Sequence, residues 1–154
     1  MAVNVHKVES SSHYQSQKYG KDGLDARNVI QNHPRFGGWL SGLNEWEHAW
    51  LQFEFTQPAI LKHLVIENGY VDPTRSGDDY FRHLRVRDIR VSTAEEHLML
   101  TLADSRPPQS FSLPFETPCQ MVRLEVCSVY SDSPDELHPP HEVVGLRHVA
   151  WFDS

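Results

Sequence analysis

The stretch that decides the fold is residues 46–70, WEHAWLQFEFTQPAILKHLVIENGY. In its first half the apolar side chains of Leu51, Phe53 and Phe55 alternate with the polar side chains of Gln52 and Glu54. A period of two predicts a β-strand with one buried face, because successive side chains of a strand point to opposite sides. The chain is therefore expected to build its core from sheets.

The second half of the same stretch predicts a second strand. Pro58 is expected to end the first strand, because proline has no N–H to give to a neighbouring strand. The apolar run of residues 60–66 forms the next strand, which ends at the Asn68-Gly69 pair, where both residue types tolerate the positive φ of a sharp turn. Two adjacent strands predict an antiparallel sheet with loops at its ends.

Short apolar runs with the same period recur along the rest of the chain, separated by Pro- and Gly-rich segments. Within residues 84–91, LRVRDIRV, the apolar parity changes between Val86 and Ile89, which predicts a β-bulge or a bend. No amphipathic helix of useful length is visible. The pattern predicts an all-β sandwich or barrel in one domain, residues 1–154, with less than about 10% helix. Ten side chains are expected in its core: Leu51, Phe53, Phe55, Leu64, Ile66, Ile89, Val91, Val122, Leu124 and Val126.

Composition excludes several classes of function. The formal net charge of −7 argues against a nucleic-acid-binding surface, which needs clustered Lys and Arg. The four arginines at 82, 85, 87 and 90 are expected on a solvated strand face. No apolar run is long enough for a transmembrane helix, and the first ten residues, MAVNVHKVES, show no signal-peptide core, so the localisation stays open.

The two cysteines are expected to be free thiols. If Cys119 and Cys127 lie on one strand, eight residues separate them by roughly 26 Å. A disulfide requires its Cα atoms to be far closer. Free thiols are compatible with the cytoplasm.

Seven stretches, in this order, carry a resemblance to a known family: ESSSHY, NVIQNHPRFGGWLSG, EHAWLQFEF, QPAILKHLVIENGY, YFRHLRVRDIRV, MVRLEVCSVYSDS and GLRHVAWF. Together they resemble the discoidin or coagulation-factor type C superfamily of galactose-binding-like domains, and most of all the glycan-binding domains first named for bacterial NAD glycohydrolases. The resemblance covers about residues 8–152. It implies an eight-stranded jelly roll that binds a ligand, and does not catalyse, at three loops on one end.

Those loops match residues 31–48, 70–83 and 130–142 of this chain. They carry aromatic rings, which pack on the apolar faces of sugars, and planar polar groups, which pair with hydroxyls. We therefore predict a carbohydrate-binding (lectin-like) module, with a protein–protein interaction domain that uses the same loops as the alternative. The expected ligand-binding residues are Trp46, Tyr70, Tyr80, Arg82, His83, Tyr130, His141 and Glu142, with His138 as a further donor. Histidine protonation near pH 6 should tighten the binding of an anionic glycan and leave a neutral one nearly unaffected.

A structural calcium is disfavoured, and no other cofactor is expected. The family often carries an Asp-Gly-Asp turn before the Trp, where this chain reads Gln31-Asn32-His33, and the family's Glu in the last strand aligns with His148. Calcium prefers carboxylate oxygens, so both changes weaken the site.

Two other readings of the residues receive less weight. The ten histidines suggest a metal site, but none of them stands in a spacing typical of zinc ligands. The acidic pairs Asp78-Asp79 and Asp135-Glu136 suggest catalytic carboxylates, but pairs in Pro- and Gly-rich loops are usually solvated. We expect no enzyme activity.

Overall fold

The computed structural model describes residues 1–16, 20, 23–31, 37–72, 80–134 and 139–154. In this part of the chain there are eleven strands and two 3₁₀ segments, Ala26–Ile30 and Tyr80–Arg82. None of the described helical segments is long and apolar enough to cross a membrane. The strands are β1 (Val5–Ser10), β2 (Trp39–Leu40), β3 (Trp50–Ala59), β4 (His63–Asn68), β5 (His83–Val86), β6 (Asp88–Ser92), β7 (His97–Thr101), β8 (Gln109–Ser112), β9 (Cys119–Val126), β10 (Val129–Tyr130) and β11 (His141–Phe152).

The strands form two sheets that pack as a sandwich, which confirms the predicted fold class. One sheet has the order β1-β3-β9-β6-β7 and is antiparallel throughout. The other has the order β10-β5-β11-β4-β8, with β2 paired to β11 and one parallel pair, β5 with β11. Eight strands remain if the two-residue strands β2 and β10 are set aside and β5 and β6 are counted as one, in agreement with the jelly roll that the resemblance implies.

The core lies between the sheets where the alternation predicted it. Leu51, Phe53 and Phe55 of β3 are buried, and Phe53 meets Trp151 of the opposite sheet edge to face, with ring centroids 5.4 Å apart. All ten predicted core side chains are buried. The sheets therefore share one core.

The prediction that Pro58 ends the first strand is wrong. The strand β3 continues to Ala59. It does so because its pairing with β9 is interrupted between Glu54 and Ala59, so Pro58 lies where no ladder hydrogen bond is required of it.

The predicted bend in residues 84–91 is confirmed, and it moves the chain from one sheet to the other. Strand β5 belongs to the second sheet and β6 to the first, with Arg87 between them. The expected solvated arginine face is therefore wrong for Arg85, which is fully buried, whereas Arg82, Arg87 and Arg90 are exposed.

Both cysteines are free, as predicted. Cys119 begins β9, and Cys127 directly follows its last residue. Burial is the largest cause that raises the pKa of each thiol above its ordinary value. The protonated thiol is therefore favoured at neutral pH.

Candidate functional site

The loops selected from the sequence leave the sandwich at one end. His141 at the start of β11 pairs with His83 at the start of β5, and Leu146 pairs with Asn68 at the end of β4. Tyr130 of β10 pairs with Arg85 of β5, which brings the third loop to the same end. This part of the molecule is called the loop end below.

The first loop joins the loop end through backbone contacts. The amide of Asn44 donates to the carbonyl of Glu142 at 2.8 Å, and the amide of His48 donates to the carbonyl of Val126 at the end of β9. Trp46 lies between these two points, half-buried against the main core. All three predicted loops therefore have described residues at this end.

Three of the predicted site residues form one stack of rings. The ring of Tyr70 lies parallel to that of His83, with centroids 5.3 Å apart and 10° between the planes. His83 in turn stacks on His141 at 5.8 Å and 24°. Tyr70 is buried, His83 is half-buried and His141 is exposed, so the stack runs from the interior to the surface.

The packing around Tyr70 explains why its side chain is buried. It belongs to a small apolar cluster with Leu24, Leu40 and Val143, below the loops. It packs over Gly145, where a Cβ would lie only 2.7 Å from the Cβ of Tyr70. Tyr70 therefore supports the stack and does not present its own ring to solvent.

Tyr80 is buried as well. Its hydroxyl donates to Asp104 Oδ1 at 2.9 Å. Burial, followed by this hydrogen bond to a carboxylate, raises the pKa of Tyr80 above its ordinary value. Its ring is held between Phe81 and two arginines, Arg85 and Arg106. Tyr80 thus anchors the stem of its loop and does not offer a face to a ligand.

Tyr130 is half-buried and has a protein partner. Its hydroxyl donates to the carbonyl of Leu102 at 2.6 Å, and the guanidinium of Arg87 lies 5.9 Å from its ring centroid. The predicted residues that are exposed at the loop end are Arg82, His141 and Glu142. His33, His138 and the acidic pairs Asp78-Asp79 and Asp135-Glu136 lie outside the described residues.

The described residues contain no group of three or more His, Cys, Asp or Glu side chains that could hold a metal ion. His148, which the resemblance aligns with a family Glu, lies with its Nδ1 3.8 Å from Glu67 Oε2 on the neighbouring strand. Its surroundings are those of a surface pair between β11 and β4.

A second surface feature lies outside the residues selected from the sequence as ligand-binding. On the solvent face of the first sheet, Arg123 donates twice to Gln52 Oε1, at 3.1 and 2.8 Å, and its Cζ lies 4.0 Å from the ring centroid of Trp50. A groove of about 730 Å³ runs beside this group, lined by parts of β3, β6 and β9 and the turn after β6. The alternation predicts that Trp50, Gln52 and Arg123 lie on the outer face of their strands. Only the pairing of β9 with β3 in the folded protein brings these side chains into contact.

Buried Arg85 and its partner Asp104 were also missed as members of the loop end. Arg85 was assigned to a solvated face, and Asp104 lies in a segment with no distinguishing pattern. Their pairing joins positions 19 residues apart, and no local signal in the sequence indicates it.

No protein-family model matches the chain, and no curated protein matches it significantly. Solved structures do match. The CBM32 of AlyQ, in complex with 4,5-unsaturated mannuronic acid, is 12% identical with a TM-score of 0.61, and the match covers 100% of this chain and 99% of that one.

Two domains from Clostridium perfringens match in the same way. A CBM32 in complex with GalNAc-β-1,3-galactose is 12% identical with a TM-score of 0.66, covering 99% of both chains. The family 32 CBM of NanJ, in complex with galactose, is 8% identical with a TM-score of 0.62, covering 94% of this chain and 91% of that one. At these identities the likeness concerns the fold. The chain has the galactose-binding-like β-sandwich fold of these carbohydrate-binding modules over its whole length.

Proposed function

We propose that this protein is a carbohydrate-binding module that takes a glycan at the loop end. The observation that carries the proposal is the stack of Tyr70, His83 and His141. It draws together residues from two of the predicted loops, and its outermost ring is exposed beside Glu142.

The exposed groups suit a sugar. Arg82 supplies planar paired donors for vicinal hydroxyls or a sugar carboxylate. Glu142 accepts from hydroxyls, and a ring such as that of His141 packs on apolar C–H groups. The solved structures with this fold support the same ligand class, since their bound molecules include galactose, a GalNAc disaccharide and an unsaturated uronic acid.

We also propose that the module binds without catalysing and needs no calcium. The domains that it resembles in fold are carbohydrate-binding modules. The positions at which the family binds calcium have lost their carboxylates in this chain, at residues 31–33 and at His148. Binding should therefore persist in a chelator.

A glycan array followed by calorimetry tests the proposal, with galactose, GalNAc and unsaturated oligomannuronate as the first soluble probes. His141→Ala and Arg82→Ala should each weaken the binding of an array hit by about tenfold or more. His97→Ala and Arg90→Ala are matched controls, since they remove exposed side chains of the same types from the first sheet.

Two results would contradict the proposal. If the loop-end variants bind like the parent while Arg123→Ala does not, the glycan surface is the groove beside Trp50. If no glycan binds at any pH between 5 and 8 and the loop-end variants lose a captured protein instead, the domain is a protein-interaction module.

A further inference from the structure

A buried guanidinium lies directly under the loop end. Arg85 in β5 has no exposed surface, and its side chain forms a two-point pair with Asp104, with Nε 3.1 Å from Oδ1 and Nη2 3.0 Å from Oδ2. Such a planar fork is the geometry in which arginine pairs best with a carboxylate. Asp104 belongs to the segment that follows β7.

The same guanidinium contacts the stem of the third loop. Its Nη2 donates to the backbone carbonyl of Asp132 at 2.7 Å, the shortest of its hydrogen bonds. Its Nη1 donates to the carbonyl of His83 on its own strand at 3.2 Å. Asp132 follows β10 by two residues, at the point where residues 130–142 leave the sandwich.

The stem of the second loop packs on the guanidinium from another side. The Cζ of Arg85 lies 4.8 Å from the ring centroid of Phe81 and 5.5 Å from that of Tyr80. The hydroxyl of Tyr80 donates to the same Asp104 that pairs with Arg85. The group formed by Arg85, Asp104, Tyr80 and the carbonyl of Asp132 is called the Arg85 junction below.

The buried charge of Arg85 is stable only while all of its hydrogen-bond partners are in place. Removing a cation from water is costly, and the cost is recovered only if its N–H groups remain hydrogen-bonded. If the stem at 132 moves away, a donor of Arg85 loses its acceptor. If the stem at 80–82 moves away, Asp104 loses the hydrogen bond from the hydroxyl of Tyr80. The guanidinium of Arg85 then also loses its contacts with the rings of Tyr80 and Phe81. Each stem thus raises the cost of displacing the other.

We propose that Arg85 is a positioning residue that couples the stems of the second and third loops, so that the two sides of the loop end are held in place together. The inference rests on the proposed function for its biological meaning, because it names what holds the glycan-binding loops. The coupling itself is a property of the unliganded protein and can be tested without any sugar.

The decisive measurement is segment-resolved hydrogen exchange on the full chain without ligand. Arg85→Lys keeps the positive charge but cannot bond Asp104 twice and reach Asp132 as well. It should speed amide exchange in both residues 80–83 and 130–133 by roughly tenfold or more, the factor expected from losing one charge-assisted hydrogen bond. Exchange in β3 and β9, away from the junction, should stay unchanged.

Tyr80→Phe tests the coupling from the side of the second loop. It removes one hydroxyl and leaves the Arg85–Asp104 fork in place, so exchange should rise most in residues 80–83 and, because each stem raises the cost of displacing the other, by a smaller factor in residues 130–133. A coupling role predicts a rise in both stems with β3 and β9 unchanged, whereas a general contribution to stability predicts a rise in β3 and β9 as well.

The outcomes separate cleanly. If Arg85→Lys leaves either stem unchanged, the coupling is refuted. If it speeds exchange throughout the molecule, Asp104→Asn, an isosteric change, decides: release of both stems with β3 and β9 still protected upholds the proposal, and any other pattern overturns it. An absence of binding to every glycan on the array at any pH between 5 and 8 would count against the proposed function without touching this result.

Discussion

At the scale of single residues, Gly69 shows how one position joins a turn to the loop end. The sequence predicted a positive φ at the Asn-Gly pair after β4, and Gly69 has a φ of +80°. The structure adds a second reason for glycine, since a Cβ there would lie 2.6 Å from Cε2 of Tyr80. Gly20 has nearly the same φ, +81°, but among the described residues no atom outside its immediate chain neighbours lies within 4 Å of the place where its Cβ would be.

The pair allows backbone strain to be separated from the clash. Gly20→Ala should lower the free energy of unfolding by about 1–2 kcal/mol, the cost of a left-handed conformation for a residue with a Cβ. Gly69→Ala should lower the free energy of unfolding by this same amount and by about 1–3 kcal/mol more, because the new methyl group overpacks against Tyr80. Urea denaturation of both variants measures the difference. Equal losses would mean that Tyr80 yields freely and that the junction below it is loose.

At the scale of elements, the crossing from β5 to β6 is held by one carboxylate. Asp88 accepts from the hydroxyl of Ser128 at 2.6 Å and from that of Thr101 at 2.7 Å. These hydrogen bonds, that of Ser128 first, lower the pKa of Asp88 below its ordinary value. The ionised form therefore fixes the start of β6 to its neighbours.

This arrangement predicts a pH dependence with a defined sign. Because the pKa of Asp88 is lowered on folding, its stabilisation is present above the unfolded value of 3.8 and is lost as the pH falls through the folded pKa. Asp88→Asn should therefore be less stable than the parent at pH 7, by less than about 1 kcal/mol because the group is solvent-screened. The difference should shrink below pH 3.8.

Thermal melts at pH 7 and pH 3 measure the difference in stability between the parent and Asp88→Asn. Glu95→Gln is the control for the loss of one charge, because Glu95 is an exposed carboxylate in the turn after β6. A difference that stays constant with pH would show that Asp88 acts by shape alone.

At the scale of the whole molecule, both sheets depend on one core. Phe53 and Phe55 from the first sheet meet Trp151 of the second edge to face, at 5.4 and 6.3 Å. A single main cluster contains buried residues from both sheets. Neither sheet can keep its inner face dry without the other, so the molecule should unfold in one cooperative step.

Phe53→Ala tests whether the two sheets share one core and unfold together. It should cost about 3–5 kcal/mol, because the ring is fully buried. Tryptophan fluorescence and far-ultraviolet circular dichroism should shift together in urea. Glu54→Ala, one residue along on the outer face, should stay within about 0.5 kcal/mol of the parent. Two separate transitions, or a loss below about 1 kcal/mol for Phe53→Ala, would contradict a shared core.

The sequence by itself determined most of the longer strands and the inward face of strands such as β3, and the resemblance that it carries implied the end at which the loops gather. Leu51, Phe53 and Phe55 repeat every two residues, and that period is a local property of the chain. Free thiols at Cys119 and Cys127 followed from the same local geometry, and so did the bend between Val86 and Ile89.

Only the tertiary structure decided which side chains of the loop end face solvent. Alternation assumes that a strand has one wet face, but in β5 Leu84, Arg85 and Val86 are all buried. One side of β5 is covered by the core, and the other by Asp104 and the stem at Asp132, which arrive from distant parts of the chain. Tyr80 anchors its loop and Arg85 forms a buried junction because burial depends on which segments pack against a residue. That packing depends on contacts between distant parts of the chain, which no local period encodes.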